Sequence, residues 1–153
     1  MKFICDEMLK KLASWLRIAG YDVIVMPDGT SDRDIVDKAV SEKRILLTRD
    51  QKIAEFKRAD VVAIILECND LDSCVEQLNH KLRVNWLYQP FTRCNSCNTV
   101  LVKAGTDQIQ HIPEKVRDQE TGFLFCPVCN QFFWEGSHVD NMRKQLQRWN
   151  GVH

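Results

Sequence analysis

The sequence has no excess of either charge, no long apolar run and no internal repeat or low-complexity tract. Lys plus Arg and Asp plus Glu number 21 each, so no global field draws the chain to nucleic acid or to a membrane, and any site for a polyanion has to be a local patch. Cutting the chain at Arg83 leaves both parts close to charge balance. No stretch approaches the roughly 18 apolar residues of a membrane-spanning helix. Met1 to Asp6 reads as the start of a strand rather than as a charged-then-apolar leader. These absences predict a soluble, cytoplasmic protein.

Cysteine, by contrast, is plentiful. There are seven, and four lie in two Cys-x-x-Cys pairs, which in a reducing compartment points to metal ligation rather than a disulfide framework. Cys5, Cys68 and Cys74 fall in or beside apolar stretches and are expected to be inert core fillers. With 153 residues, the chain suits one ordinary domain or a smaller one with an appendage; the cysteines favour the second, with an α/β domain over 1–84, a linker over 85–93 and a cysteine-bearing unit with a final helix over 94–153.

The first part is organised around Arg44-Ile45-Leu46-Leu47-Thr48-Arg49-Asp50. Three apolar residues between charged ends suggest a short strand buried on both faces, as in the middle of a parallel sheet. Phe3-Ile4-Cys5 running into Asp6 repeats the design. Val23 to Met26 and the apolar run from Val61 to Leu66 supply two more strands. Helices are expected from Met8 to Ala19 with Gly20 as a left-handed C-cap, after a Ser31 or Asp32 cap, from about Gln51 to Arg58, and after an Asp70 or Asp72 cap. The alternation predicts a small doubly wound parallel sheet of four strands, order 2-1-3-4.

In that order the first and third strands are neighbours at the switch point, where ligands bind beyond the strands' carboxyl ends. Asp6 and Asp50 then face one crevice. Paired carboxylates suit magnesium or manganese, and the chemistry such ions support is in-line displacement at phosphorus. A third acid would come from the first turn of the second helix, where Asp32 and Asp34 compete, Asp32 equally serving as a cap. Thr48 and Arg49 lie beside this crevice; Arg49 suits a phosphate through its planar fork or a structural ion pair. Lys10 and Arg17 fall on the outer face of the first helix, either tracking a phosphate backbone or simply solvated.

Cys94-x-x-Cys97 and Cys126-x-x-Cys129 offer two tight turns with two thiolates each, which together complete a closed, tetrahedral and hence structural zinc site. A redox dithiol is the alternative. Asn98 and Asn130 each follow the second cysteine of a pair and tolerate the left-handed backbone that such a turn needs. Strands near Thr99 to Val102, Gly122 to Phe125 and Gln131 to Trp134 make a three-stranded zinc ribbon the simplest reading. Phe132, Phe133 and Trp134 either stack on bases or cover the main sheet. Ser137 opens a last helix; His138 in its first turn is biased toward neutral imidazole and suits a polar contact, a phosphate or acid–base work.

Taken together, Phe3-Ile4-Cys5-Asp6, Leu12-x-x-Trp15-Leu16-Arg17 with Gly20-Tyr21-Asp22, Leu46-Leu47-Thr48-Arg49-Asp50, the two knuckles, and Trp134-x-Gly136-Ser137-His138 resemble the Mut-seven C-terminal RNase domain family, over about Lys2 to Leu146. The resemblance implies a PIN-like nuclease fold joined to a zinc ribbon, with Asp6 and Asp50 as metal-binding acids, the four knuckle cysteines as zinc ligands, and RNA as substrate. Asn130 stands where the resemblance leads one to expect glycine. A metal-dependent ribonuclease is therefore the leading expectation, and a non-catalytic RNA-binding or protein-docking module the alternative. A phosphoacceptor domain is disfavoured, because it needs a lysine after a fifth strand that the chain does not supply. Oligomeric state is not legible in the sequence.

Overall fold

The computed structural model describes residues 1–56, 62–119 and 122–151. The chain opens with β1 (Lys2–Asp6), α1 (Lys10–Ile18), β2 (Asp22–Met26), α2 (Asp32–Ser41), β3 (Ile45–Thr48), β4 (Ala63–Ile65) and α3 (Leu71–Leu82). The strands are parallel in the order β2-β1-β3-β4, as the alternation predicts. Strand pleating divides the apolar residues between two cores. Phe3, Cys5, Val23 and Leu47 face α1 and α3, while Ile4 and Leu46 face Ile35, Val36 and Ala39 of α2. Leu12 and Leu16 of α1 are buried in the larger core, where truncating either to alanine would cost about 2–5 kcal/mol.

Caps follow the chemistry of the sequence. Ser31 Oγ accepts the Asp34 N–H at 3.1 Å and Asp70 Oδ1 accepts the Ser73 N–H at 2.9 Å, so Ser31 and Asp70, not Asp32 and Asp72, start α2 and α3. Gly20 has φ of 101° after α1, and a Cβ there would run into the Gln89 carbonyl. In place of the helix expected from Gln51 there is a 3-10 turn, Gln51–Glu55; Lys57 and Arg58 of that expectation, and Val61 of the fourth strand, lie outside the described residues.

Residues 85–93 are no loose tether. Val84 and Trp86 are fully buried, Tyr88 stacks on Tyr21, and the Gln89 and Phe91 N–H groups donate to Ala19 and Ile18 carbonyls at 3.0 and 2.8 Å. The segment is a strap across the end of α1. Beyond it, β5 (Val102–Lys103), β6 (Leu124–Phe125) and β7 (Phe132–Phe133) form an antiparallel sheet in that order. Two short helices, α4 (Thr106–Ile109) and α5 (Glu114–Gln119), separate β5 from β6.

Phe125, Phe132 and Trp134 pack against Ala104, Ile112 and Phe123. They line the ribbon's own core rather than covering the main sheet. α6 (Ser137–Asn150) then returns to the larger core, burying Leu146 and Trp149. Trp149 meets Trp15 and Trp86 with ring centroids 4.9 and 5.2 Å apart. Cys68 and Cys74 form a disulfide at the start of α3, correcting the expectation that both are inert fillers; only Cys5 of that trio is a free, buried thiol. Sequence spacing carries no information on such a pairing. None of the described helices is long and apolar enough to cross a membrane.

Candidate active site and metal centre

β1 and β3 are neighbours, with Cys5 opposite Leu47 as their last registered pair. Asp6 is the next residue of β1 and Asp50 lies three residues past Leu47, so both emerge at the carboxyl edge of the sheet. Each begins a 3-10 turn and caps it. Asp6 Oδ1 accepts the Met8 N–H at 3.1 Å, and Asp50 Oδ1 accepts the Lys52 N–H at 2.8 Å. Capping explains why an aspartate stands at each position. It engages Oδ1 of each carboxylate.

The charge of Asp50 reaches Asp6. Burial raises the Asp6 pKa most, and the charge of Asp50 adds to the rise; the Met8 and Leu9 backbone N–H groups and the Arg49 guanidinium oppose it. Like charges held together in a half-buried setting mark a place where a cation is welcome. Thr48 is fully buried, and its Oγ1 accepts the Asp50 N–H at 3.0 Å. Thr48, expected beside the substrate in this crevice, turns its hydroxyl to the chain and fixes the backbone of Asp50. Arg49 is half-exposed, with Nη2 donating to Asn69 Oδ1 at 3.3 Å.

Asp32 is half-buried and Asp34 exposed in the first turn of α2. Among the described residues, neither joins Asp6 and Asp50 in a convergent set of three ligand atoms. Two polar residues at the same edge were not anticipated. Glu67 Oε1 accepts from Gln51 Nε2 at 3.1 Å, and Asn69 holds Arg49. Both follow β4, so the strand-end rule that singled out Asp6 and Asp50 reaches them as well.

Of the remaining candidates, Lys10 is exposed and pairs with Glu7 at 3.6 Å. Arg17 is not on the outer face. It is buried, with Nε donating to the Val23 carbonyl at 2.9 Å and Nη1 to the Asn95 and Ser96 carbonyls at 3.1 Å. The face that helical spacing marks as outward is covered by the first knuckle, so Arg17 joins α1 to the cysteine centre. His138 is exposed near the end of α1 that carries Ile18, away from the acids. Asp22 is held by Arg44 at 2.8 Å and Asn98 at 2.7 Å at the amino end of β2, and so does not reach the acidic edge either.

The ligand sulfurs of Cys94, Cys97, Cys126 and Cys129 all lie within 4.8 Å of one another. The two knuckles are built alike. In each, the asparagine after the second cysteine donates its N–H to the first cysteine's carbonyl at 2.9 Å, and Asn98 and Asn130 have φ of 73° and 56°, the left-handed backbone expected of them. A tetrahedral zinc–thiolate site with bonds of about 2.3 Å sets sulfurs about 3.8 Å apart. Cys97 and Cys126 stand at 3.5 Å, so the donor set fits zinc. Burial pushes the Cys97 thiol up, but the Thr99 hydroxyl and N–H and the thiols of Cys129 and Cys126 outweigh it and bring Cys97 down to about 6. A thiolate is therefore at hand for a metal at neutral pH. Asn98 also couples this knuckle to the main sheet, accepting the Val23 N–H at 2.9 Å.

Residues 1–146 match the family model described as the Mut7-C RNAse domain. No curated protein and no solved structure matches the chain.

Proposed function

Since the chain belongs to the Mut7-C RNAse domain family, we propose that it is a metal-dependent ribonuclease whose acidic edge hydrolyses RNA phosphodiester bonds, with a structural zinc ribbon beside a PIN-like unit over 1–84. The observation that carries this reading is the emergence of Asp6 and Asp50 at the carboxyl edge of adjacent parallel strands, each capping a 3-10 turn there. Their carboxylates would hold magnesium or manganese, with Asp32 or Asp34 turning in from α2 as the third ligand once an ion is bound. The chemistry supplied by such an ion is acidification of an attacking water and neutralisation of charge at phosphorus.

The chain's own residues do the rest. Thr48 holds the Asp50 backbone, and through it the carboxylate, in place. Arg49, a 3.3 Å bond away from Asn69, turns its planar fork to a phosphate oxygen. Water adds to phosphorus as the ester P–O bond breaks; the leaving oxygen takes up a proton and departs as a sugar hydroxyl. The ribbon contributes folding energy through zinc held by its four cysteines.

The test is cleavage of single-stranded RNA with manganese or magnesium by wild type and Asp50→Asn, both folded and free of contaminating nuclease. Asp50→Asn should be slower by about a hundredfold or more, beyond what outer partners of a metal contribute. Equal rates would remove the assignment. A second reading, a non-catalytic RNA-binding module, draws on the fact that no group of three carboxylates converges among the described residues. Retained RNA affinity with no turnover in either metal would favour it.

A further inference from the structure

Between the ribbon and α6 lies a cavity of about 460 Å³, in the size range of ligand sites and larger than packing defects in protein interiors. Its wall is largely ring and methyl surface from Phe91, Leu124, Phe133, Trp134, Val139 and Met142. Phe125 and Phe132 stack on each other and Trp134 meets Phe123, but Phe133 has no ring partner among the described residues. Strand alternation accounts for this. Phe132 turns into the ribbon core, so its neighbour Phe133 turns the other way, toward the space left before α6.

The cavity is not wholly apolar. Trp134, Ser137, His138 and Asn95 also line it, Ser137 and His138 being exposed to solvent, and among the described residues no hydrogen bond engages Trp134 Nε1, the Ser137 hydroxyl, the His138 imidazole or Asn95 Oδ1. Arg93 lines the cavity, with Nη1 donating to the Asn98 carbonyl at 3.0 Å, while Arg143 sits over the Phe91 ring at 4.8 Å from its centroid and pairs at 2.8 Å with Glu135, an acid that also lines the cavity. Flat ring faces, a few polar side chains and the remaining N–H groups of Arg93 match one ligand chemistry: a planar heteroaromatic ring carrying an anion. α6 adds to the match, since Gly136 at its N-cap provides no side chain to satisfy the first N–H groups.

Resting on the ribonuclease reading above, we propose that this cavity is a subsite for one unstacked nucleotide of a single-stranded RNA, its base against Phe133 and Trp134 and its phosphate toward Arg93 and the start of α6. The 3-10 turn Glu7–Leu9 and the nine-residue helix α1 together separate Ile18 on the cavity wall from Asp6 by about 20 Å along the helix axis. One strand several nucleotides long spans both places. The cavity thus selects substrates by length and by having an unpaired base at a fixed distance from the cut.

The test is RNA binding by the full chain carrying Asp50→Asn, without added magnesium or manganese, by fluorescence anisotropy of a labelled single strand long enough to span both places, against a labelled dinucleotide. In that background Phe133→Ala removes a stacking face, and Val139→Phe fills the space from α6. Zinc content and melting temperature report on folding. Each variant should bind the long strand about fivefold to a hundredfold more weakly, the range for losing one base stack, bind the dinucleotide likewise more weakly, and lose photocrosslinking of a 4-thiouridine strand to the Phe133–Trp134 peptide. Unchanged long-strand affinity in both folded variants overturns the proposal, as does no measurable RNA binding by the parent. The two readings fail separately. A wild type that never cuts but binds through the cavity leaves this subsite standing, whereas one that cuts while both variants bind as before removes the subsite alone.

Discussion

The hydroxyl oxygen of Thr48, fully buried, accepts the backbone N–H of Asp50 at 3.0 Å. One side chain therefore fixes where the central strand's aspartate leaves the sheet. Thr48→Val keeps the shape but leaves that N–H without its partner. A stability loss of about 1–3 kcal/mol is expected, with a fall in kcat larger than the change in KM, and Thr48→Ser should restore both. Denaturant unfolding and steady-state cleavage check this.

Asp6 should trade stability for function. Burial, with Asp50's charge behind it, raises its pKa above the ordinary 3.8, so the folded state binds the proton more tightly than the unfolded chain. The stability this contributes is full below the unfolded value and is lost as pH rises through the raised folded value. Asp6→Asn retains an oxygen for the Met8 cap and removes the charge. It should be more stable than wild type at neutral pH, with the difference closing toward about pH 3, and inactive in cleavage. Thermal melts across that pH range give the first result.

Arg17 separates an anchor from a substrate contact. Arg17→Met retains most of the apolar stem and deletes three charge-assisted bonds to carbonyls. A loss of about 3 kcal/mol in unfolding free energy is expected, with RNA affinity unchanged wherever the variant remains folded. Weaker RNA binding by a protein of undiminished stability would return Arg17 to the substrate.

Zinc should be present at one ion per chain by elemental analysis. Chelation, or Cys126→Ser, is expected to unfold the three short strands of the ribbon while the parallel sheet persists, because strands of two residues bury too little to stand without the metal. Circular dichroism before and after chelation follows the change.

Much of the parallel sheet was legible because each cue acts within a few residues. Apolar triplets such as Phe3-Ile4-Cys5 and Ile45-Leu46-Leu47 announce buried strands, and an alternating order leaves few topologies. The adjacency of Asp6 and Asp50 follows from that order alone. Arg17 was misplaced because helical spacing assigns faces without knowing what another segment lays over them. The strap escaped notice since Trp86, Tyr88 and Phe91 pack one by one, with no period. α4 and α5 are four and six residues long, too short for a repeat to show, although Pro113 before Glu114 is a start signal. The Cys68–Cys74 pairing depends on three-dimensional approach, which spacing does not encode.

The return of α6 to the main core governs the order in which the molecule can assemble. Asn79 Nδ2 donates to the Trp149 carbonyl at 3.0 Å across 70 positions of sequence, so one wall of the larger core closes only after the intervening chain has been gathered in. Long closures are slow, since their entropy is lost before their contacts form. A metal that clips Cys94 and Cys97 to Cys126 and Cys129 shortens that loop in advance. Zinc held by those four cysteines would thereby act as a kinetic aid to closure of the larger core.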